Sequence, residues 1–402
     1  MDVLIFLLYY LLIFSEYLMQ LVPSFSYIDE LIPVFLFFYL IFFERRILIN
    51  NSYLRLIILF ILFSCYLCVP TLIFKIQSDS LVYFKDFWAF TKFFSVSLLL
   101  IQIFKRRDLT NELDKLANHS KIWLIIILFF GLLSQVINLG MTLEYSRFGI
   151  KSYQFIFSHP TFLVFSIISL YLIIFASNVR NKNTYTLITI LSLLLTGRSK
   201  AVIFIIILLF ILLSQKIKFK KIRVSRYFSI LLLSFFIFYL NLSKIKLYLS
   251  AAVYSARPLL YMKLPQILID TKGLGYGLGT YGTHISGEYY SQIYFRYKLQ
   301  YIQGLTMNDY RYIGDTFWPS LIGQFGILGT IIFLVLLYRV FCMFYFESKL
   351  QKNKLALILI TSYLIIGSFV ESIFINSSGA FFPILMAFIA YNRRCNENII
   401  DR

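Results

Sequence analysis

Long apolar runs separated by short polar breaks dominate this chain, and most have a length typical of transmembrane helices, which need about 20 largely apolar residues. Runs 29–43 and 184–196 are marginal as independent spans, but they make the charges between runs alternate without contradiction. The pattern predicts an all-α bundle of about twelve transmembrane helices. The predicted spans are 3–22, 29–43, 55–74, 86–104, 122–139, 161–178, 184–196, 200–214, 227–243, 319–345, 355–374 and 378–391.

Composition supports a membrane protein. Of the 402 residues, 59% are hydrophobic and 14% are charged, with a mean hydropathy of +0.78. Soluble proteins average about 25% charged residues, and no soluble core could absorb so much apolar side chain. We therefore expect one polytopic membrane domain over residues 1–402. The first run has no basic residues before it and no small-residue cleavage site, so we expect it to be retained as a span.

The net charge of +19 does not indicate a nucleic-acid partner, because the basic residues form short clusters between apolar runs. The four cysteines suggest neither a disulfide framework nor a metal site, and we expect no cofactor.

Basic residues occupy alternate connections, which predicts that these connections and both termini are cytoplasmic. It also places a large loop, 244–318, on the non-cytoplasmic face, where we expect short helices. The cytoplasmic clusters are Arg45, Arg46, Arg55; Lys105, Arg106, Arg107, Lys115, Lys121; Arg180, Lys182; Lys216, Lys218, Lys220, Lys221, Arg223, Arg226; Lys349, Lys352, Lys354; and Arg393, Arg394.

Three charged residues within predicted spans are functional candidates, all in the outer half of the membrane: Glu16, Lys92 and Glu371. Charges inside a membrane are costly, so they are usually functional or paired within the bundle. Near a helix end they can also extend to water.

Three stretches of polar residues fall on the predicted outer face. The first is Arg147-Phe-Gly-Ile150 followed by Ser158-His-Pro-Thr161, and the second is the turn Thr196-Gly-Arg-Ser-Lys-Ala201. The third is the large loop, which carries Arg257 near its start and Asp315 at its end. A guanidinium offers a permanently charged fork that suits a lipid-linked phosphate. Anchoring to lipid headgroups is the alternative for Arg198, Lys200 and Arg257.

The glycine-rich segment 273–279 has no βαβ context, which excludes a nucleotide-binding loop. A chain reversal in which backbone approaches a ligand or a helix end is the expected use.

Aromatic residues are dense from Tyr281 to Trp318, among them Tyr289 and Tyr290. They suit either sugar rings or an interfacial aromatic belt.

From about Arg147 onwards, the order and spacing of these motifs resemble the O-antigen and capsule repeat-unit polymerases of the Wzy type and the related O-antigen ligases. The Arg-x-Gly stretch before His159-Pro160 is similar to an outer loop of that family, and Leu193–Ala201 is similar to its Thr-x-Ser-Arg-like turn. Arg257 followed by Gly-x-Gly resembles the start of its large loop. Asp315–Gly329 resembles the helix that follows. The arginine of the turn comes one position early, so either Arg198 or Lys200 is the working cation.

The resemblance implies a bacterial cytoplasmic (inner) membrane enzyme that joins undecaprenyl-diphosphate-linked oligosaccharides on the outer face. It implies no nucleotide sugar and no metal, and it suggests a chain-length regulator and a flippase as partners besides membrane lipids. Arg198 and Arg257, with Lys200, would offset charge on the diphosphate. Asp315 would be the general base, with His284 or Glu371 as substitutes. Arg147 would orient the acceptor, and Tyr289 and Tyr290 would contact sugars.

Two other functions fit parts of the sequence. An O-antigen ligase would transfer finished polymer to a lipid acceptor, but ligases commonly have a histidine near the position of Asp315. A polysaccharide flippase or other transporter would have charges throughout a central cavity and short loops on both sides, whereas here the charges lie outward and one loop dominates.

Overall fold

The computed structural model describes residues 2–44, 50–147, 149–216 and 255–393. Every predicted span except 227–243, which lies outside these residues, coincides with a helix. These helices are α1 (Asp2–Leu21), α2 (Ile28–Phe43), α3 (Asn51–Phe74), α4 (Ser80–Phe104), α5 (Thr110–Val136), α6 (Pro160–Ala176), α7 (Lys182–Leu195) and α8 (Ser199–Lys216), and, beyond the large loop, α13 (Phe317–Glu347), α14 (Gln351–Ser368) and α15 (Ser378–Ala390).

The described part of the large loop contains short helices, as expected. They are α9 (Ala256–Met262), α10 (Leu264–Asp270), α11 (His284–Glu288) and α12 (Gln292–Arg296), with 3-10 turns at Leu299–Tyr301 and Ile313–Asp315. An antiparallel hairpin of β1 (Thr142–Arg147) and β2 (Ile150–Tyr153) follows α5, and the sequence analysis did not predict it. The fold is otherwise helical.

Six of the described helical segments are long and apolar enough to cross a membrane: Val3–Leu21, Pro23–Phe43, Asn51–Phe74, Ser80–Phe104, Thr110–Val136 and Phe317–Glu347. Three shorter apolar helices accompany them, α6, α15 and the Ser199–Leu212 part of α8. Helix α7 has 14 residues. At 1.5 Å per residue it extends about 21 Å, short of the roughly 30 Å hydrocarbon layer. A helical membrane protein is therefore supported, but the number of twelve spans is not confirmed.

The centre of the bundle is formed by α6 and α15, whose residues are almost all buried. Helix α15 packs against α4 and α14, and α6 packs against α5 and α7. Large apolar side chains on the outer helices remain exposed, including Phe42, Leu72, Phe129 and Ile331. Such side chains are typical of surfaces that face lipid, because only an apolar solvent accommodates a continuous belt of them.

Polar contacts close the end of the bundle opposite the large loop. Asn392 donates from Nδ2 to Ala176 O at 2.9 Å, and Asn353 donates from Nδ2 to Asn392 O at 2.8 Å. Arg393 forms an ion pair with Glu347 at 3.0 Å. These bonds join the ends of α6, α13, α14 and α15, so that buried polar groups are satisfied within the bundle.

Helix α13 is broken at Gly326, whose φ of 63° and ψ of −159° are not helical. The glycine-rich segment 273–279 lies against this break and pairs with it through backbone hydrogen bonds. They run from Ile327 N to Gly273 O (3.0 Å), from Tyr276 N to Gly323 O (3.0 Å) and from Gly277 N to Gln324 O (2.8 Å). This confirms the expectation that the segment brings backbone close to a helix.

Two neighbouring helices fix the other edge of the glycine-rich segment. Leu278 N donates to Thr71 Oγ1 of α3 at 2.9 Å, and Gly279 N donates to Asp86 Oδ2 of α4 at 2.7 Å. Gly277 is necessary here because its φ is 91° and a Cβ would lie 2.5 Å from the Thr71 Cα. The large loop is therefore inserted between α3, α4 and α13 rather than lying over them.

We predict that Gly277→Ala destabilises the protein far more than Gly140→Ala. Gly140 also has a positive φ, 72°, but a Cβ there would meet no atom within 4 Å. The Gly140 variant should lose about 1 kcal/mol from backbone strain alone, and the Gly277 variant roughly 3 kcal/mol because overpacking is added. Thermal unfolding of the detergent-solubilised variants measures both, and equal losses would contradict the inserted loop.

Candidate functional site

The connection 369–377, between α14 and α15, contacts several of the elements that carry the candidate residues. Tyr261 of α9 donates from its hydroxyl to Phe369 O at 3.3 Å. Trp318 of α13 donates from Nε1 to Ser368 Oγ, just before the connection, at 3.0 Å. Glu371 lies in this connection, not inside a span as predicted, because α14 ends at Ser368. The connection thus joins both ends of the large loop to the helical bundle.

Lys200 and Glu371 form an ion pair between the start of α8 and the 369–377 connection. The Lys200 Nζ lies 2.9 Å and 3.0 Å from the two carboxylate oxygens. Their side chains are 6% and 24% exposed, and the Lys200 Nζ lies 5.8 Å from the Tyr363 ring centroid. This buried pair holds the turn after α7 against the connection, and separating its charges would be costly.

Arg198 occupies the same turn and pairs with an imidazole. Gly197, with a φ of 63°, reverses the chain after α7, and Thr196 donates from Oγ1 to Leu193 O at 2.6 Å. The Arg198 Nη2 lies 2.8 Å from the Nε2 of His159, the N-cap residue of α6. Because a guanidinium only donates, the imidazole is the acceptor in this contact. Two of the polar stretches found in the sequence therefore meet.

Arg257 and Asp315 are 58 residues apart in the chain and also meet. The Arg257 Nε and Nη2 atoms donate to the Asp315 Oδ2 at 3.1 Å and 2.7 Å. Arg257 lies in the first turn of α9, and Asp315 lies in the 3-10 turn just before α13. Their side chains are 42% and 29% exposed, so this pair lies at the protein surface. The predicted start and end of the loop are adjacent in space.

A core of tyrosines keeps the loop compact. The Tyr281 hydroxyl donates to Leu260 O at 2.8 Å, and the Tyr294 and Ser286 hydroxyls lie 2.6 Å apart. Tyr290 is buried too, and its hydroxyl donates to Leu305 O at 2.8 Å. Burial raises the pKa of Tyr290 to about 12. Tyr290 therefore packs inside the loop, away from any sugar that binds at its surface.

Tyr289 and His284 remain at the surface of the loop. The Tyr289 hydroxyl accepts from the Lys85 Nζ at 3.1 Å, which ties α11 to α4. His284 is exposed, and its ring centroid lies 5.6 Å from that of Tyr310. A Cβ on Gly314 would lie 3.0 Å from the His284 N, which places His284 beside the turn that carries Asp315. Both residues can therefore contact a ligand at this surface.

The other two candidate charges, Glu16 and Lys92, form a hydrogen bond and an ion pair near the same end of the bundle. Lys92 forms a buried ion pair with Asp29 in the first turn of α2, and Glu16 accepts from the Ser377 hydroxyl. Asp29 was missed because it appeared to lie at a span boundary rather than in the bundle. The first contact joins α2 to α4, and the second joins α1 to the 369–377 connection, so both stabilise the packing of the bundle.

Arg147 is the last residue of β1 and pairs with Ile150 of β2 through the backbone. The described backbone places it at the tip of the hairpin, in a different segment from the groups around the 369–377 connection. Its assignment to the acceptor stays a prediction.

Asp86 is a functional candidate that the sequence analysis overlooked. It is fully buried in α4, and its Oδ1 atom has no hydrogen-bond partner among the described residues, whereas Oδ2 accepts from Gly279 N. The sequence signal was an aspartate close to the start of a predicted span. Asp86 fixes the glycine-rich segment, and through it the position of both loop ends.

No protein-family model, curated protein or solved structure matches this chain. The chemistry of the site therefore rests on its own residues. The 369–377 connection contacts Lys200, two residues after Arg198, and Tyr261, one helical turn after Arg257. Such a site can bind an anion and accept a proton.

We predict that Lys200→Met destabilises the protein by roughly 3 kcal/mol, because Glu371 loses the cation that compensates its burial. The control is Lys85→Met, which breaks the Lys85–Glu288 pair, 36% and 40% exposed. That change should cost less than about 1 kcal/mol. Thermal unfolding in detergent compares the two variants. A loss at Lys200 no larger than the loss at Lys85 would contradict a structural role for the buried pair.

Proposed function

We propose that this protein polymerises undecaprenyl-diphosphate-linked oligosaccharide repeat units on the outer face of the bacterial cytoplasmic membrane, as in O-antigen or capsule synthesis. The observation that carries the proposal is the meeting of Arg257 with Asp315 at one end of a lipid-exposed bundle. A permanent cation and a carboxylate at this end of the bundle suit a reaction in which a lipid diphosphate leaves and a hydroxyl loses its proton. The sequence resemblance supports the same reaction.

In this reaction the hydroxyl of the acceptor sugar attacks the anomeric carbon of the donor glycan. A bond forms between that oxygen and the anomeric carbon, while the bond from the carbon to the diphosphate oxygen breaks. The electron pair of the broken bond leaves with the undecaprenyl diphosphate, and the hydroxyl proton passes to the Asp315 carboxylate. Arg257 stabilises the negative charge that develops on the leaving diphosphate.

The burial of the two cations in the turn after α7 favours Arg198 over Lys200 as the second phosphate ligand. Lys200 is bound to both oxygens of Glu371 and is almost inaccessible, so recruiting it would leave a carboxylate unpaired. Arg198 is less buried and binds a histidine ring. In this proposal Arg198 contacts the diphosphate, while Lys200 and Glu371 are positioning residues.

The surface of the loop supplies the contacts to the glycan in this proposal. The Lys85 Nζ lies over one face of the Tyr289 ring, 5.0 Å from its centroid, and in this proposal the other face contacts the apolar face of a pyranose. His284 is the substitute proton acceptor because it neighbours the turn of Asp315. The basic connections at the opposite end support the proposed orientation, with both termini in the cytoplasm.

The test is polymerisation by the purified protein in liposomes that contain undecaprenyl-diphosphate-linked repeat units isolated from the source cells. We predict that Arg257→Ala lowers the rate by about 10²- to 10³-fold and Asp315→Ala by about 10²- to 10⁴-fold. The product ladder on a gel, with the concentration of remaining single repeat units, measures both.

Arg311→Ala is the matched control, because Arg311 is also a loop arginine paired with an aspartate, Asp309, but is 71% exposed. It should retain the ladder of the unmodified protein. A normal ladder from the Arg257 or Asp315 variant would refute these roles. Accumulation of long lipid-linked polymer in cells that lack the protein would instead indicate the ligase reaction.

A further inference from the structure

The ion pair between Arg257 and Asp315 engages the groups that the proposed reaction needs free. Arg257 directs Nε and Nη2 at the carboxylate, and these two donors form the edge of the guanidinium that binds phosphate oxygens in bidentate fashion. The Asp315 Oδ2 accepts both bonds.

The pair is also accessible enough to exchange partners. Its side chains are 42% and 29% exposed, whereas those of Lys200 and Glu371 are 6% and 24% exposed. Ion pairs that water reaches contribute little to stability, so this one separates at small cost. A diphosphate carries more charge and more acceptor oxygens than a carboxylate, and it would compete effectively for the Arg257 fork.

We propose that the Arg257–Asp315 pair is a clasp that the diphosphate of the donor lipid opens, so that Asp315 becomes a proton acceptor only after the donor has bound. This inference rests on the proposed function. Arg257 exchanges the carboxylate for phosphate oxygens, and the released Asp315 side chain turns towards the acceptor hydroxyl. Binding is therefore ordered, with the donor diphosphate before productive binding of the acceptor.

The backbone on both sides of Asp315 is irregular rather than part of a long helix. Asp315 ends a short 3-10 turn whose closing bond, from Asp315 N to Tyr312 O, is 3.4 Å long. Thr316, which follows, has an extended backbone and is the N-cap residue of α13. The fixed parts of the site lie on either side, in α9 and α13. In this proposal the carboxylate changes partners by rotation of its side chain, without movement of either helix.

The experiment measures binding of farnesyl diphosphate, with farnesol as the uncharged control, to the full-length protein in nanodiscs by calorimetry. We expect Asp315→Asn to bind farnesyl diphosphate about threefold to tenfold more tightly than the unmodified protein, because no carboxylate competes for Arg257. Arg257→Gln should bind it more weakly. In the Arg257→Gln background, Asp315→Asn should give no gain, which identifies Arg257 as the group released.

Asp309→Asn is the control for a general effect of removing negative charge from the loop, since Asp309 pairs with Arg311 at 2.8 Å and 3.0 Å. It should leave binding unchanged. Unchanged or weaker binding by Asp315→Asn, or an equal gain from Asp309→Asn, would overturn the clasp while polymerisation by the unmodified protein still stood. Absence of binding by both the unmodified protein and Asp315→Asn would also overturn it, and the polymerisation assay judges the proposed function separately.

Discussion

Inside a membrane, a helix can break only where another part of the protein satisfies the backbone groups that the break exposes. Here α13 breaks at Gly326, and backbone from the glycine-rich segment 273–279 pairs on both sides of the break. Loop and helix therefore stabilise each other. The segment lies between Arg257 and Asp315 in the chain, so fixing it against α3, α4 and α13 holds both ends of the loop at one end of the bundle.

The site also depends on the contacts of the 369–377 connection. It contacts α9 through Phe369 and the first turn of α8 through Glu371. Aromatic packing continues these contacts, since the rings of Phe317 and Phe374 lie 4.9 Å apart. Non-covalent contacts of this connection therefore bring together helices that are distant in the sequence. The connection between α14 and α15 contributes contacts to α8, α9 and α13.

Much of the fold was predictable because length and hydropathy determine transmembrane helices locally. The run 378–391 was sufficient to predict α15, and Asp315 was correctly placed just before α13. The sequence could not reveal that Glu371 lies beyond α14 or that Lys92 pairs with Asp29, because both depend on tertiary packing. For the same reason, Tyr289 and Tyr290 looked equivalent, although only Tyr290 enters the loop core. Pairing partners are properties of the folded bundle.

In the proposed phosphate site, ion pairs limit the charge that is left uncompensated. Carboxylates balance Arg257 and Lys200, and the His159 imidazole accepts a hydrogen bond from Arg198. A ligand must therefore bind Arg257 more strongly than the Asp315 carboxylate does. A phospholipid headgroup with one phosphodiester charge gains little over the Asp315 carboxylate, whereas a diphosphate provides a second phosphate for a second arginine. Surrounded by headgroups, such a site would thus favour the lipid diphosphate over the bulk lipid.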